Sequence, residues 1–175
     1  VCASGGGSHN AVGASFESVL EAGNVAWRTF PDGWPNIAFS ERATLEGRNV
    51  VFLASLHHPA IFVEQQAFLV ALARQRLRSL HVIVPYYGPG TMERVAHENE
   101  VATAEPFFKM LTAPLPPLTG GAPTLTVFDA HALCTRFYAA DTCSVVDASA
   151  FPLALEWARR KRATVVFPDD GADAE

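Results

Sequence analysis

The sequence predicts an α/β fold in which a doubly wound, mostly parallel sheet carries an added β-hairpin. Short apolar, β-branched runs at residues 80–84, 124–128 and 164–167 have the pattern of buried parallel strands. Stretches with helical periodicity lie between these runs, and such alternation is typical of β-α-β units with right-handed crossovers. Hydrophobic residues make up 49% of the 175 residues and charged residues only 18%, which suits a sheet covered on both faces and excludes a disordered chain.

The first elements are predicted from the N-terminus onward. Residues 1–14 are rich in glycine and serine and are expected to be a flexible segment, whereas residues 15–175 are expected to form one domain. A short helix is predicted over 16–22, and it is followed by a hairpin with strands at 25–30 and 37–39.

The middle of the chain contains the longest predicted helix, residues 60–77. It follows a strand at 49–54, and we expect Ser55 to cap it and Pro59 to occupy its first turn. A polar, glycine-rich stretch at 88–100 is too long for an ordinary connection and is predicted to be a functional loop. The later predictions are a helix over 101–111, a short helix near 131–138, an extended piece near 143–147 and a helix over 150–162 with Trp157 turned inward.

Charge and apolar patterning argue against two classes of function. The net charge is -5, and the basic run at 159–162 is expected at the last turn of a helix, so nucleic-acid binding is not indicated. No stretch reaches the roughly 18 apolar residues of a membrane span, and no signal peptide is visible. Cys2, Cys134 and Cys143 form no CxxC motif, and Cys134 and Cys143 are expected to be reduced thiols, which favours the cytoplasm. An organelle stays open, because the sequence does not begin with an initiator Met.

Acids and a histidine follow two of the predicted strands, at the edge where open α/β sheets bind ligands. Asp129 and His131 share a face if their strand continues, so they can hold a metal, or Asp129 can orient the imidazole or cap a following helix. The adjacent acids Asp169 and Asp170 suit Mg²⁺, or they form an Asp-Gly turn. Residue spacing leaves these alternatives open.

Three further patterns have both a functional and a structural interpretation. Residues 88–91, Gly-Pro-Gly-Thr, follow a strand and can present N–H groups to phosphate, although they lack the GxxxxGK[ST] pattern. His57 and His58 precede a proline, which is more typical of the start of a helix than of a ligand pair. The turn at 30–36 carries aromatic and polar side chains that can hold a purine or can form a simple exposed tip.

Six segments, in order and at the right spacing, resemble the ribose-phosphate pyrophosphokinases, also called phosphoribosyl pyrophosphate synthetases. The resemblance runs from about Trp27 to Gly171 and rests on FPDGWPNI, NVVFLASLHHPA, VIVPYYGPGTMERV, NEVATAEPFFKML, TVFDAHALCTRFY and VVFPDDGA. The phosphate-independent second class of that family is the closest, since it shares the FPDDGA end and the HALxxRFY run. The resemblance implies an N-terminal domain of phosphoribosyltransferase type, whose C-terminal partner domain is absent from this sequence.

The same resemblance implies an activity and roles for particular residues. It implies transfer of diphosphate from Mg²⁺-ATP to ribose 5-phosphate, giving phosphoribosyl pyrophosphate and AMP for nucleotide biosynthesis, by a homo-oligomer. Mg²⁺ is the expected cofactor, and ATP and ribose 5-phosphate are the expected partners. The implied catalytic residue is His131, the implied metal ligands are His131, Asp169 and Asp170, and the implied ATP contacts are Phe30, Asp32, Trp34, Thr91, Glu93 and Arg94.

Departures from the family pattern suggest an alternative function. The Arg-Gln-Asp run that contacts ATP in the well-known class is replaced by Thr91, Met92 and Glu93, followed by Arg94, and Trp34 stands where the hairpin usually has Glu. Without the second domain, which supplies the ribose-phosphate loop, this chain alone is expected to be inactive. The alternative is a non-catalytic, synthetase-like regulatory or nucleotide-binding subunit.

Overall fold

The computed structural model describes residues 25–39 and 45–166, which form a parallel sheet, an antiparallel hairpin and the helices that pack on them. The hairpin consists of β1 (Val25–Thr29) and β2 (Pro35–Phe39). The sheet has the order β3-β4-β5-β6, with β3 (Asn49–Leu53), β4 (Ser79–Val84), β5 (Thr124–Phe128) and β6 (Ser144–Ala148). The α-helices are α1 (Pro59–Ala73), α2 (Ala104–Thr112) and α3 (Phe151–Lys161). The α/β class, the parallel sheet and the added hairpin are confirmed.

The core lies on one face of the sheet, where a row of apolar side chains crosses all its described strands. Phe52 pairs in register with Val82, Val82 with Leu125, and Leu125 with Val145. Phe52, Val82 and Leu125 are fully buried. Alternation along β4 places Leu80 beside Val82 on the same face, as the period of two in a strand requires.

Helix α1 has the predicted proline in its first turn, but its N-cap residue is not the predicted one. Pro59 is the first helical residue, and the Nδ1 atom of His58 accepts a hydrogen bond from the Ala60 N–H at 3.2 Å. The predicted cap, Ser55, is instead held through its backbone: its N–H donates to the Gln65 side chain at 2.8 Å. His58, in the connection between β3 and α1, therefore acts as the N-cap of the helix.

Aromatic contacts join the helices to each other and to the loop that follows β4. Phe62 of α1 meets Phe107 of α2 edge-on, with ring centroids 5.4 Å apart. Tyr87 meets Phe108 in the same way at 5.2 Å. The side-chain amide of Gln66 also donates to the Met110 carbonyl, so α1 and α2 lie side by side on the sheet.

A buried ring of α1 contacts two aromatic side chains of the hairpin. Phe68 lies 4.8 Å from Trp27, 5.2 Å from Phe39 and 5.3 Å from Phe52, measured between ring centroids. Because Phe52 belongs to β3, this ring joins hairpin, helix and sheet at one point. The hairpin turn closes with the Phe30 N–H donating to the Trp34 carbonyl at 2.8 Å.

Several predicted boundaries are wrong. Helix α1 ends at Ala73 instead of residue 77, because the chain turns at Arg76, with φ 53°, to bury Leu77. Trp157 is exposed rather than inward, since Leu155 and Ala158 occupy the side of α3 that faces the protein. Residues 163–166 form no strand. The predicted helix at 16–22, the flexible segment 1–14 and residue 167 lie outside the described residues.

Other boundaries shift less. Helix α2 starts at Ala104 rather than at residue 101, and the short helix predicted near 131–138 is a 3₁₀ segment, Leu133–Tyr138. In residues 25–39 and 45–166, no helix combines the length and the apolar character that a membrane crossing requires.

Candidate functional site

Two loops leave the same edge of the sheet, where β4 and β5 end. The β4 loop, residues 85–103, opens with the 3₁₀ segment Gly88–Met92. The β5 loop, residues 129–143, contains the 3₁₀ segment Leu133–Tyr138. Because β4 and β5 are parallel neighbours, their loops face each other over the carboxyl edge of the sheet, which is the usual ligand position in such folds.

A carboxylate, an imidazole and a guanidinium meet between these loops. The Oε2 atom of Glu93 lies 3.9 Å from Nε2 of His131, and the Oε1 atom lies 3.4 Å from Nε of Arg94. The Glu93 side chain is only 14% exposed, whereas the His131 side chain is 57% exposed. Oxygen and nitrogen donors are thus presented beside a cation, an arrangement that can bind a metal ion together with phosphate oxygens.

Close approach of main chains shapes the start of the β4 loop. A Cβ on Gly88 would come within 3.3 Å of the Leu56 carbonyl oxygen, because Leu56 and Tyr87 pair as an isolated bridge. The buried Tyr87 hydroxyl donates to the Ala104 carbonyl at 2.7 Å, and burial raises the pKa of Tyr87 far above its usual range. The phenol therefore stays protonated and ties the loop to the start of α2.

The backbone of residues 88–91 is only partly available to a phosphate. The Gly90 N–H already donates to the Tyr87 carbonyl at 3.0 Å. Gly90 also faces the histidine, since a Cβ there would lie 3.7 Å from the Cβ atom of His131. Thr91 follows in the same 3₁₀ segment, between this glycine and Glu93. Loss of the Gly90 donor reduces the phosphate-binding capacity expected of this turn.

Asp129 does not join His131, contrary to the interpretation in which both act from one strand. Strand β5 ends at Phe128, and Asp129 has φ 44°. Its Oδ1 accepts from the Ser149 hydroxyl at 2.6 Å and its Oδ2 from the Ala150 N–H at 3.0 Å. The carboxylate of Asp129 is therefore a helix cap, which was one of the alternatives open from the sequence. The helix that it caps is α3, however, and not one that begins near residue 131.

The hairpin residues expected to contact adenine form a separate group. Trp34 is 65% exposed and Phe30 is 49% exposed. One oxygen of Asp32 accepts from the Trp34 N–H at 3.3 Å, which shapes the turn. In the part of the chain that the structure describes, no hydrogen bond or ion pair links this tip to Glu93 or His131.

The remaining candidate ligands do not form a metal cluster in the described residues. His57 Nδ1 lies 2.8 Å from the Ser55 hydroxyl and His58 caps α1, while Asp169 and Asp170 lie outside the described residues. Residues 25–39 and 45–166 contain no group of three or more His, Cys, Asp or Glu side chains that could hold a metal. Mg²⁺ needs few protein ligands when water and phosphate complete its shell, so Glu93 and His131 fit as part of such a site.

Comparison with protein families identifies the chain. A model of the N-terminal domain of ribose phosphate pyrophosphokinase matches residues 10–114. The chain belongs to this family. The resemblance to ribose-phosphate pyrophosphokinases is therefore confirmed, whereas membership of the second class stays a prediction.

Relatives and a solved structure extend the match past residue 114 of this ribose phosphate pyrophosphokinase domain. The chain is 38% identical over 157 residues to ribose-phosphate pyrophosphokinase 3, chloroplastic, of Oryza sativa subsp. japonica, covering 87% of the chain and 38% of the relative. It is 34% identical to the mitochondrial pyrophosphokinase 3 of Spinacia oleracea, covering 91% of the chain and 40% of that relative. The chain thus spans about half or less of the length of the curated relatives it matches.

The fold is that of a solved member of this family. Phosphoribosylpyrophosphate synthetase from Mycobacterium smegmatis superposes with a TM-score of 0.67 at 19% sequence identity, covering 83% of this chain and 46% of that chain. At this identity the comparison establishes the fold alone.

Proposed function

We propose that this chain is the ATP- and metal-binding half of a ribose-phosphate diphosphokinase. The reaction moves the diphosphate of ATP to ribose 5-phosphate and releases AMP. The observation that carries the proposal is the meeting of Glu93, Arg94 and His131 at the carboxyl ends of β4 and β5, in a chain of this family. Phosphoryl-type transfer depends mainly on positioning and charge neutralisation, which these side chains can supply.

Each of these groups has a distinct role in the proposal. Glu93 and His131 would hold Mg²⁺, with Asp169 and Asp170 as further proposed ligands, and the bound ion would neutralise charge on the phosphates. The Arg94 guanidinium would bind phosphate oxygens beside Thr91. The ribose 1-hydroxyl oxygen then forms a bond to the β-phosphorus, the bond from that phosphorus to the AMP oxygen breaks, and the hydroxyl proton leaves to solvent.

The position of the hairpin supports a shared site in a homo-oligomer. Phe30 and Trp34 present exposed aromatic faces suited to adenine, but no described contact joins them to Glu93. A hairpin supplied by a second copy of the chain would place an aromatic surface beside phosphates bound at His131. We therefore propose that the adenine and phosphate parts of one ATP contact different subunits.

The test is AMP release from Mg²⁺-ATP, with and without ribose 5-phosphate, by the protein expressed from its complete reading frame. Release that depends on ribose 5-phosphate is expected. His131→Ala should lower kcat by roughly 100-fold or more, as loss of one transition-state-stabilising group does. The matched control is His57→Ala, which alters a histidine whose ring bonds the Ser55 hydroxyl and should leave the rate within about twofold.

The alternative, a non-catalytic regulatory or nucleotide-binding subunit, is favoured by Thr91 and Met92 in place of the Arg-Gln run. A folded full-length protein that releases no AMP, yet changes the rate of an active synthetase when mixed with it, would establish this alternative. We propose the cytoplasm as the compartment. Relatives named as chloroplastic and mitochondrial make an organelle the alternative, and fractionation distinguishes the two.

A further inference from the structure

A tyrosine at the end of the β5 loop reaches across to the β4 loop. The Tyr138 hydroxyl lies 3.4 Å from the main-chain carbonyl oxygen of Glu93 and donates to it. The same hydroxyl lies 3.3 Å from the Sγ atom of Cys134, one turn earlier in the 3₁₀ segment. Forty-five residues of chain separate Tyr138 from Glu93, so this contact is a tertiary link between the two loops.

The proton of the phenol has a defined place in this arrangement. A carbonyl oxygen can only accept, so the contact with Glu93 requires the Tyr138 O–H to donate. The Cys134 S–H can then donate to the phenol oxygen, and each group uses its one proton. The phenol is therefore the donor in the contact that joins the two loops.

The hydrogen bond from Tyr138 is important because of where the Glu93 carboxylate lies. Its carboxylate faces His131 and Arg94 while its own carbonyl is held by Tyr138. Motion of that peptide unit would move the carboxylate relative to His131, which belongs to the other loop. A hydrogen bond to the backbone of Glu93 therefore fixes the separation of the carboxylate and the imidazole.

We propose that Tyr138 is a positioning residue, which holds Glu93 opposite His131 by anchoring the β4 loop to the β5 loop. This role rests on the proposed function, in which Glu93 and His131 hold Mg²⁺. Tyr138 acts through Glu93 and does not itself contact the substrate.

Kinetics of the full-length protein with Tyr138→Phe test the role, because the variant keeps the ring and removes only the hydroxyl. The Mg²⁺ concentration for half-maximal AMP release should rise roughly threefold to fivefold, the effect of one long, neutral hydrogen bond, while the KM for ribose 5-phosphate stays unchanged. The matched control is Tyr86→Phe, which removes a hydroxyl from an exposed ring without a described hydrogen bond. Cys134→Ser keeps a donor beside the phenol and should match the unmodified protein.

Hydrogen exchange separates failure of this role from failure of the proposed function. In Tyr138→Phe, amides of residues 93–100 should exchange faster, while those of β4 keep their rates. Unchanged exchange in 93–100 overturns the link between the loops. Faster exchange with an unchanged Mg²⁺ dependence overturns the positioning role. If the unmodified protein releases no AMP, the proposed function fails, and hydrogen exchange still decides whether Tyr138 joins the two loops.

Discussion

At the scale of single residues, Gln65 shows how a buried polar group organises a loop before the site. It is fully buried, and its amide bonds the Ser55 backbone in both directions: Oε1 accepts from the N–H at 2.8 Å and Nε2 donates to the carbonyl at 3.3 Å. The side chain thus imitates a neighbouring strand at the end of β3. This pairing satisfies backbone groups that would otherwise be buried without partners.

Replacing this amide should therefore cost far more than replacing a surface one. Gln65→Leu leaves the Ser55 N–H and carbonyl unpaired, and we expect the free energy of unfolding to fall by about 2–4 kcal/mol. Urea denaturation measures this change. Gln75→Leu is the control, since this exposed side chain makes one 3.4 Å bond to Ala71 and should cost about 0.5 kcal/mol or less. Equal effects of the two substitutions would show that the Ser55 contacts contribute nothing.

Residue roles that depend on distant partners could not be predicted from the sequence. The sequence leaves Asp129 either a role beside His131 or a cap near residue 131, but its partners, Ser149 and Ala150, follow twenty and more residues later. The HALxxRFY run predicts no role for Tyr138, because nothing near it in the sequence shows that its hydroxyl reaches Glu93. His131 and Glu93 were both expected in the site, and it is their mutual contact that needed the structure.

At the scale of elements, the start of α3 depends on a residue outside the helix. Asp129 accepts from Ser149 and Ala150 while adopting φ 44°, a conformation that Asp tolerates better than most residues. The cap ties the end of β5 to the beginning of α3. It also directs the chain away from the strand, towards His131.

Removing this cap should loosen α3 and lower stability. Asp129→Ala loses two hydrogen bonds and places alanine at positive φ, so we expect a loss of about 2–3 kcal/mol in the free energy of unfolding. Helix content by circular dichroism and chemical denaturation measure the effect. Asp141→Ala, at an exposed acid in the same part of the chain, should change stability by about 0.5 kcal/mol or less. An Asp129→Ala protein as stable as this control would contradict the capping role.

Elements with strong periodicity were predicted well, and those decided by tertiary context were not. The run 124–128 is a strand with the predicted bounds, because its alternating apolar and β-branched residues suit a buried strand. Helix α3 exists as predicted, yet the wrong face was assigned inward, since Trp157 and Leu155 are both apolar and only packing selects between them. The strand expected at 164–167 failed in its described part, because β-branched residues there have no described neighbour to pair with.

At the scale of the whole molecule, Phe68 connects the hairpin to the body of the domain. Its ring contacts Trp27 and Phe39 of the hairpin and Phe52 of β3. The parallel sheet and the hairpin were both predicted from the sequence. The contacts of the Phe68 ring with Trp27 and Phe39 were not, because these residues lie 41 and 29 positions before Phe68 and leave no local pattern.

Truncating this ring should release the hairpin as well as destabilise the core. Phe68→Ala is expected to lower the free energy of unfolding by about 3–5 kcal/mol, as truncation of a fully buried aromatic side chain does. Trp27 should become more solvent-exposed, which a red shift in tryptophan fluorescence detects. Phe137→Ala, at a ring that is 75% exposed, should have little effect on either measurement. A stability loss without any change at Trp27 would show that the hairpin is held elsewhere.

The strand order of the described sheet has a consequence for synthesis of the protein. Each of β4, β5 and β6 pairs with the strand made immediately before it, so the sheet can grow at one edge as the nascent chain emerges. Among the strands that the structure describes, none has to be inserted between two that have already paired. Glu93 is synthesised well before His131. The contact between the two side chains can form only after β5 has paired with β4. A ribosome that pauses before residue 124 would leave the edge of β4 open, and such an edge invites pairing with another chain.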